Sequence, residues 1–103
     1  MLYAVRARFI PEKLEEFRAK LKDGSIRRQE PDGEEICASM MRARVTKPGL
    51  VQWTEECYCA TPLQHERATV YDHYFTELTA TEVPEHAEYE GDSFMALLER
   101  AGS

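Results

Sequence analysis

Residues 2–9 (LYAVRARF) alternate between two kinds of position. The positions on one side are Tyr3, Val5, Ala7 and Phe9. The opposite side carries Arg6 and Arg8. A period of two is typical of a half-buried strand. We therefore expect a first strand whose apolar side packs beneath helices and whose other side contains two arginines.

The pattern changes to a helical period after this strand. Apolar residues recur three or four positions apart, at Ile10, Leu14, Phe17 and Leu21. Pro11 suits the first turn of a helix, and Gly24 is a typical stop signal. The spacing predicts a first helix between these two residues. The next segment, 25–35 (SIRRQEPDGEE), contains a Pro-Asp-Gly sequence and predicts a surface connection.

Two longer segments flank the tetrapeptide TKPG at 46–49. Residues 35–45 (EICASMMRARV) and 50–60 (LVQWTEECYCA) both have strand-like composition. A connection of a few residues that contains Pro and Gly favours a hairpin. The pattern therefore predicts that these segments form the second and third strands and pair with each other.

The predicted hairpin determines which side chains share a face of the sheet. With Pro48 and Gly49 at the two central turn positions, the facing pairs are Arg44 with Trp53, Arg42 with Glu55, Met40 with Cys57, and Ala38 with Cys59. This face is too apolar for a plain solvent surface and too charged for an ordinary core. A turn longer by one residue would reverse the facing of one strand.

Three further elements complete the chain. Residues 61–64 (TPLQ) carry a capping box, Thr61 with Gln64, which predicts the start of a second helix. Residues 77–83 (ELTATEV) are rich in Thr and predict a fourth strand. Residues 92–102 (DSFMALLERAG) predict a short capped helix, which must dock on the body or on a partner because so short a helix does not persist alone in water.

The element order is β-α-β-β-α-β with a terminal helix, which predicts a single α+β domain, residues 1–103, with the ferredoxin-like plait. This order, the chain length and the opening strand MLYAV resemble the dimeric α+β barrel proteins. That superfamily includes muconolactone isomerase-like, cofactor-free monooxygenase-like and stress-responsive small proteins. The resemblance implies a homodimer in which two sheets pack face to face. It carries no diagnostic motif, so no catalytic residue is transferred from it.

Composition excludes several classes of partner. The formal net charge of −6 opposes binding to nucleic acid, which is driven largely by Lys and Arg. No apolar run approaches the roughly 20 residues of a membrane span. The first apolar stretch contains arginines, unlike a secretory signal. We therefore expect a cytoplasmic protein without a membrane or nucleic-acid partner.

The cysteines and histidines offer little metal chemistry in the predicted arrangement. In a strand, Cys57 and Cys59 project to the same face about 6.5–7 Å apart, beyond ordinary disulfide reach. Their C-x-C spacing differs from the usual zinc knuckle, and only Cys37 and scattered histidines remain to complete a site. His65 and His73 are about 12 Å apart along a helix and cannot share one ion. The sequence favours structural thiols, no metal and no cofactor.

Two functions remain open. In the first, the dimer is a cofactor-free enzyme, isomerase or monooxygenase-like, that acts on a small anionic organic molecule. Glu55 is the candidate catalytic residue and transfers a proton. The candidate binding residues are Arg42, Arg44, Trp53, Arg6, Arg8, Tyr71 and Tyr74. In the second, the same face is a dimer interface in which Arg42 pairs with Glu55, and the protein is a non-catalytic binding or structural module. Whether the chain is an enzyme stays undecided.

Overall fold

The computed structural model describes residues 1–102, which form one antiparallel sheet and a layer of helices. The five strands are β1 (Leu2–Phe9), β2 (Arg44–Lys47), β3 (Leu50–Glu56), β4 (Phe75–Glu82) and β5 (Asp92–Ser93). The four helices are α1 (Leu14–Lys22), α2 (Gly33–Arg42), α3 (64–74) and α4 (Phe94–Ala101). Within this range every helix is too short or too polar to cross a lipid bilayer.

The strands lie in the order β4-β1-β3-β2-β5, and every neighbouring pair is antiparallel. β1 therefore has an interior position, between β3 and β4. Its Val5 lies opposite Trp53 on one side and Ala80 on the other. The α+β class expected from the sequence is confirmed, and the arrangement is compatible with an α+β plait.

The sheet has two chemically different faces. On the helix-covered face, Tyr3, Val5 and Ala7 of β1 are buried. The other face, called the open face, carries Arg6 and Arg8, which are exposed. The buried and exposed sides of β1 are therefore those predicted from the alternation in residues 2–9.

All four helices contribute to one core against the helix-covered face. The buried helical side chains include Phe17, Ile36, Met40, Val70, Tyr71, Phe94 and Leu98. Phe17 of α1 stacks on Tyr74 of α3 with ring centroids 4.3 Å apart, and it also contacts Phe75 and Phe94 edge-on or tilted. Such aromatic contacts stabilise the packing beyond simple burial of area. The helices therefore leave the open face without helical cover.

The predicted first helix is confirmed. It starts with a short 3-10 turn at Pro11–Lys13, continues as α1 and ends before Gly24, whose φ of 84° suits glycine. At the far end of the chain, Glu99 of α4 pairs with both Arg18 and Lys22 of α1. These pairs and the apolar contacts join α1 to α4 on the surface of the core.

The prediction of a strand over 35–45 is wrong, because residues up to Arg42 form α2. Ile36, Cys37 and Met40 have the spacing of a helical stripe, and this stripe is buried against β3. Acidic residues in the first turn and Arg42 in the last also suit the helix dipole. The second strand is therefore only the four residues of β2.

The hairpin between β2 and β3 is confirmed, but its predicted register is wrong. Lys47 lies opposite Leu50, as a two-residue turn requires, and then the register shifts by one residue. As a result Arg44 lies opposite Gln52 and not opposite Trp53. A shift of one residue exchanges the two faces of a strand, so the facing pairs expected from the sequence do not form.

α3 and β4 both begin at different residues from those predicted. The capping-box segment forms a turn, in which Leu63 has a φ of 58° and a fully buried side chain, and the helix starts at Gln64. Within α3, Arg67–Tyr71 adopt a π-helical turn. β4 starts two residues earlier than expected, at Phe75, and contains a bulge at Glu77.

Residues 83–91 cross one end of the open face. The imidazole Nδ1 of His86 lies 2.6 Å from the hydroxyl of Thr54 on β3. The chain then forms β5 at the edge beyond β2 and enters α4, which is capped by Ser93 and buries Phe94 and Leu98. The predicted terminal helix is confirmed, and it docks on the body of the same chain.

Candidate functional site

A row of polar side chains crosses the middle of the open face. Residues that lie directly opposite each other in neighbouring strands project to the same face. The row consists of Thr79 on β4, Arg6 on β1, Gln52 on β3 and Arg44 on β2. We call these four residues the central row. It brings two of the arginines predicted from the sequence onto one surface.

The arginines of the central row have no carboxylate partner among the described residues. The Arg6 side chain makes no hydrogen bond or ion pair there, and the Arg44 guanidinium meets only the backbone oxygen of Gly91, at 3.5 Å. Between them, Gln52 accepts a hydrogen bond from the Thr46 hydroxyl at 2.8 Å. This bond uses the side-chain oxygen and leaves the amide N–H groups of Gln52 available as donors.

The spacing of the two arginines follows from the sheet itself. Neighbouring strands are about 4.8 Å apart, so the backbones of Arg6 and Arg44, separated by β3, are roughly 10 Å apart. A hollow of about 370 Å³ lies beside Arg6, and a second of about 490 Å³ lies beside Arg44. The row therefore presents two cationic arms with a hydrogen-bond donor between them.

The two hollows add further polar groups to the row. The hollow beside Arg6 is also lined by Arg8, whose guanidinium pairs with exposed Glu77 at 3.4 Å. The hollow beside Arg44 is lined by His86 and Tyr89, together with Arg42 and Glu88. Exposed ion pairs such as Arg8–Glu77 are weak, so Arg8 adds positive charge to this side of the row.

Arg42 does not belong to the central row. It ends α2, and its guanidinium donates to the backbone oxygen of Thr54 at 2.8 Å and to the Glu35 carboxylate at 3.1 Å. Glu35 in turn accepts the backbone N–H of Glu56 at 3.0 Å. β2 pairs only with the first half of β3, so these two side chains satisfy the backbone of the unpaired half. The main role of Arg42 is structural.

Trp53 and Glu55 lie on the helix-covered face, which corrects the sequence-based site. Glu55 lies opposite Tyr3, and Trp53 lies opposite Val5. Both side chains are fully buried. Because the sheet separates them from Arg6 and Arg44, Glu55 cannot exchange a proton with a ligand bound at the central row. The predicted pair of Arg42 with Glu55 is also absent.

Glu55 instead forms a buried polar cluster with two aromatic residues. One carboxyl oxygen accepts hydrogen bonds from Trp53 Nε1 at 2.9 Å and from the Tyr71 hydroxyl at 2.5 Å, and the other oxygen has no partner among the described residues. Burial raises the pKa of Glu55 to about 8, although the two hydrogen bonds act in the opposite direction. Burial and the nearby Glu55 raise the pKa of Tyr71 well above 10.

Tyr74, the other predicted tyrosine, lies in the core at a different place. Its hydroxyl donates to Glu16 of α1 at 2.8 Å, and its ring stacks on Phe17. Burial and the hydrogen bond to Glu16 both raise the pKa of Tyr74. Tyr71 and Tyr74 thus stabilise the packing of α3, as tyrosines at helix-to-sheet interfaces commonly do.

Sequence reasoning missed Gln52, His86 and Tyr89. The predicted register placed Arg44 opposite Trp53 and not opposite Gln52, because the bulge that shifts β2 has no signal in the tetrapeptide TKPG. His86 contacts Thr54, which lies 32 positions earlier in the chain, and no local pattern reveals such a contact. When the pairing of β1 with β3 is known, the alternation of residues 50–56 is sufficient to place Gln52 beside Arg6.

A second group of polar residues gathers past the end of β3, away from the central row. It contains Cys57, Cys59, Asp32, His65 and Glu66, which are residue types that bind metal ions.

Comparison of the whole chain with family models, with curated proteins and with solved structures finds no match in any of the three.

Proposed function

We propose that the chain is a ferredoxin-like plait that binds a small organic anion on its open face without catalysing a reaction. The order β4-β1-β3-β2, with antiparallel neighbours and crossover helices on one face, supports the plait. β5 and α4 are additions at its edge. The open face is the surface that this fold leaves for a ligand or a partner.

The observation that carries the binding function is the pair Arg6 and Arg44. In a chain with a net charge of −6, both lack a carboxylate partner among the described residues, although they stand on the same surface. A guanidinium matches a carboxylate or phosphate through two parallel hydrogen bonds. Two guanidinium groups carried on backbones about 10 Å apart suit a molecule with an acidic group at each end. The best candidates are therefore aliphatic dicarboxylates.

The position of Glu55 favours binding over catalysis. An enzyme of the kind expected from the sequence needs its proton acceptor within hydrogen-bond reach of the bound molecule. Glu55 lies on the other side of the sheet. In the described part of the chain the carboxylates that line the two hollows are those of exposed Glu77 and Glu88, and the His86 imidazole of the second hollow is hydrogen-bonded to the Thr54 hydroxyl. The non-catalytic alternative is therefore the one that the geometry supports.

A homodimer through the open face is part of this proposal. One end of the face carries Arg8 and Lys47, whereas the crossing segment at the other end carries exposed Glu85, Glu88 and Glu90. Two copies turned end for end would place acidic ends over basic ends, which makes the face self-complementary. The central rows would then face each other, and their arginines would share a bound anion.

Titration calorimetry with dicarboxylates of increasing length tests the binding function. We expect the wild-type protein to bind one chain length best, and to bind it more tightly than the matching monocarboxylate. Arg6→Gln and Arg44→Gln should each weaken binding about tenfold or more, because each removes a charge-assisted hydrogen bond. Arg27→Gln is the matched control, since Arg27 is an exposed arginine outside the open face.

Light scattering on the same variants separates ligand binding from dimer formation. Loss of ligand binding with an unchanged dimeric mass supports the proposed anion site. If Arg6→Gln reduces the mass to that of a monomer while the wild type binds no acid, the arginines serve the interface alone. The binding function is contradicted if no acid binds, or if Arg27→Gln weakens acid binding as much as Arg6→Gln and Arg44→Gln do. A monomeric mass for the wild type at micromolar concentration contradicts the dimer.

A further inference from the structure

Three parts of the chain meet past the end of β3 and enclose a hollow of about 400 Å³. They are the segment 57–59, the turn that contains Asp32 before α2, and the first turn of α3, with His65 and Glu66. The hollow is separate from the central row, since it shares no lining residue with the hollows beside Arg6 and Arg44. It contains two of the three cysteines and one of the three histidines.

The side chains in this hollow form two groups of potential metal ligands. The sulfur atoms of Cys57 and Cys59 and a carboxylate oxygen of Glu66 all lie within 4.8 Å of one another. Asp32, His65 and Glu66 form a second group that meets the same distance. The Glu66 carboxylate is common to both groups, so an ion bound by Cys57, Cys59 and Glu66 would lie next to the group that contains His65.

The burial of Glu66 gives an independent reason to look for a cation. Its side chain is 2% exposed, and its hydrogen-bond partners in the described part of the chain are thiols, that of Cys59 at 3.4 Å and that of Cys57. A thiol is a weak donor and a poor substitute for water around a buried carboxylate. The residues that line the hollow include further carboxylates, at Glu35 and Glu56, but neither lysine nor arginine. Glu35 is paired with Arg42 and Glu56 with the N-terminal amine, so Glu66 is the buried carboxylate of the hollow that has no cationic partner in the described part of the chain.

The local backbone also explains why two cysteines with C-x-C spacing can act together. β3 ends at Glu56, so Cys57 and Cys59 do not continue a strand. The chain turns there, and the backbone N–H of Cys59 donates to the Cys57 sulfur at 3.3 Å. This turn brings the two thiols closer than the strand spacing expected from the sequence.

We propose that Cys57, Cys59 and Glu66 bind one divalent transition-metal ion of the zinc type, and that His65, oriented by Asp32, supplies the fourth protein ligand. Two thiolates with an imidazole and a carboxylate select zinc-like ions over Mg²⁺ and Ca²⁺, which prefer oxygen ligands. Each thiol releases its proton to solvent as it binds the ion. His65 Nδ1 contacts Asp32 at 2.5 Å, the usual second partner of a metal-binding imidazole.

Titration of the reduced, metal-free protein with Co²⁺, followed by Zn²⁺ displacement, tests the site. We expect one ion per chain, with sulfur-to-cobalt charge-transfer absorption that Zn²⁺ abolishes. Cys59→Ala should weaken this absorption and Co²⁺ binding, because it removes one of the two thiolate ligands. Its matched control is Cys37→Ala, because Cys37 is the cysteine outside the hollow. Glu66→Gln should weaken Co²⁺ binding by at least about tenfold, and Asp32→Asn by about 10–100-fold.

His65→Ala and its control His73→Ala decide the result if a core variant does not fold. Both histidines lie on α3, but His73 is exposed and lies outside the hollow. Circular dichroism verifies the fold of each variant before metal is added. The proposal is overturned if the folded wild type gives no thiolate-to-cobalt absorption, or if the variants at 59 and 65 bind Co²⁺ as tightly as those at 37 and 73. In either case the hollow is a cluster of hydrogen-bonded thiols and carboxyls without a metal.

Discussion

The two faces of β3 show how one strand can carry two unrelated sets of polar groups. On the open face, Gln52 joins exposed arginines and keeps its donors available to solvent. On the helix-covered face, Trp53 donates to Glu55, which also accepts the Tyr71 hydroxyl in a closed cluster. Successive residues of a strand point in opposite directions. The role of a charged residue in a strand can therefore be inferred only when the face to which its side chain projects is known.

The difference also separates stability from binding. The polar groups of the helix-covered face are surrounded by core, so their substitution should change the free energy of unfolding. Those of the open face are solvated, so their substitution should change binding and leave stability nearly constant. This contrast can be tested residue by residue along the same strands.

Trp53→Ala should produce the largest loss of stability. Trp53 is fully buried against Tyr71 and Phe75, with ring centroids 5.2 Å away in each case, and it donates a hydrogen bond to Glu55. Removal of a buried tryptophan leaves a cavity and costs about 3–5 kcal/mol. Urea unfolding measures the effect. Gln52→Ala, one residue away on the open face, should change the free energy of unfolding by less than about 0.5 kcal/mol, and an equal loss would contradict the assignment of the two faces.

Glu55 should make the stability of the metal-free protein depend on pH. Burial raises its pKa from 4.5 to about 8 in the folded protein. Between these values the folded state keeps a proton that the unfolded state has lost, so the free energy of unfolding falls as the pH rises through this window. The total decrease should be on the order of 3–5 kcal/mol. It is complete above the folded pKa.

Glu55→Gln checks this pH dependence, because an amide keeps the shape of the carboxyl but does not titrate. Urea unfolding in the presence of a chelator should show a smaller decrease between pH 5 and 8 for the variant than for the wild type. Glu77→Gln, on the open face, should keep the wild-type slope, since Glu77 is exposed. Identical slopes for Glu55→Gln and wild type would show that Glu55 is already ionised in the folded protein.

Local pattern was sufficient for part of this fold. The alternation of β1 and the helical spacing up to Leu21 specify elements whose buried sides follow directly from the sequence. α2 was mistaken for a strand because 35–45 contains no Gly or Pro, and its buried stripe of Ile36, Cys37 and Met40 is short. Helix and strand are hard to distinguish in short apolar runs, and here packing against β3 decides the outcome.

The candidate site was harder to predict than the fold, because it depends on a one-residue shift and on distant contacts. The bulge in β2 reverses the facing of Arg44 relative to Trp53. The contacts of His86 with Thr54 and of His65 with Asp32 join residues 32 and 33 positions apart. Arg6, Arg8 and Arg44 were nevertheless placed on a common surface, since each falls on the polar side of its own strand.

The smallest predicted effect compares two arginines that are only two residues apart. Arg42 donates to the Thr54 backbone oxygen and to Glu35 at the unpaired edge of β3, whereas Arg44 meets only a backbone oxygen at 3.5 Å. Arg42→Gln should therefore lower the free energy of unfolding by about 1–2 kcal/mol, because it leaves a strand carbonyl and a carboxylate without their donor. Arg44→Gln should lower it by less than about 0.5 kcal/mol. Thermal and urea unfolding of the two variants side by side measure the difference. If Arg44→Gln lowers the free energy of unfolding more than Arg42→Gln does, Arg44 stabilises the sheet and does not belong to a binding surface.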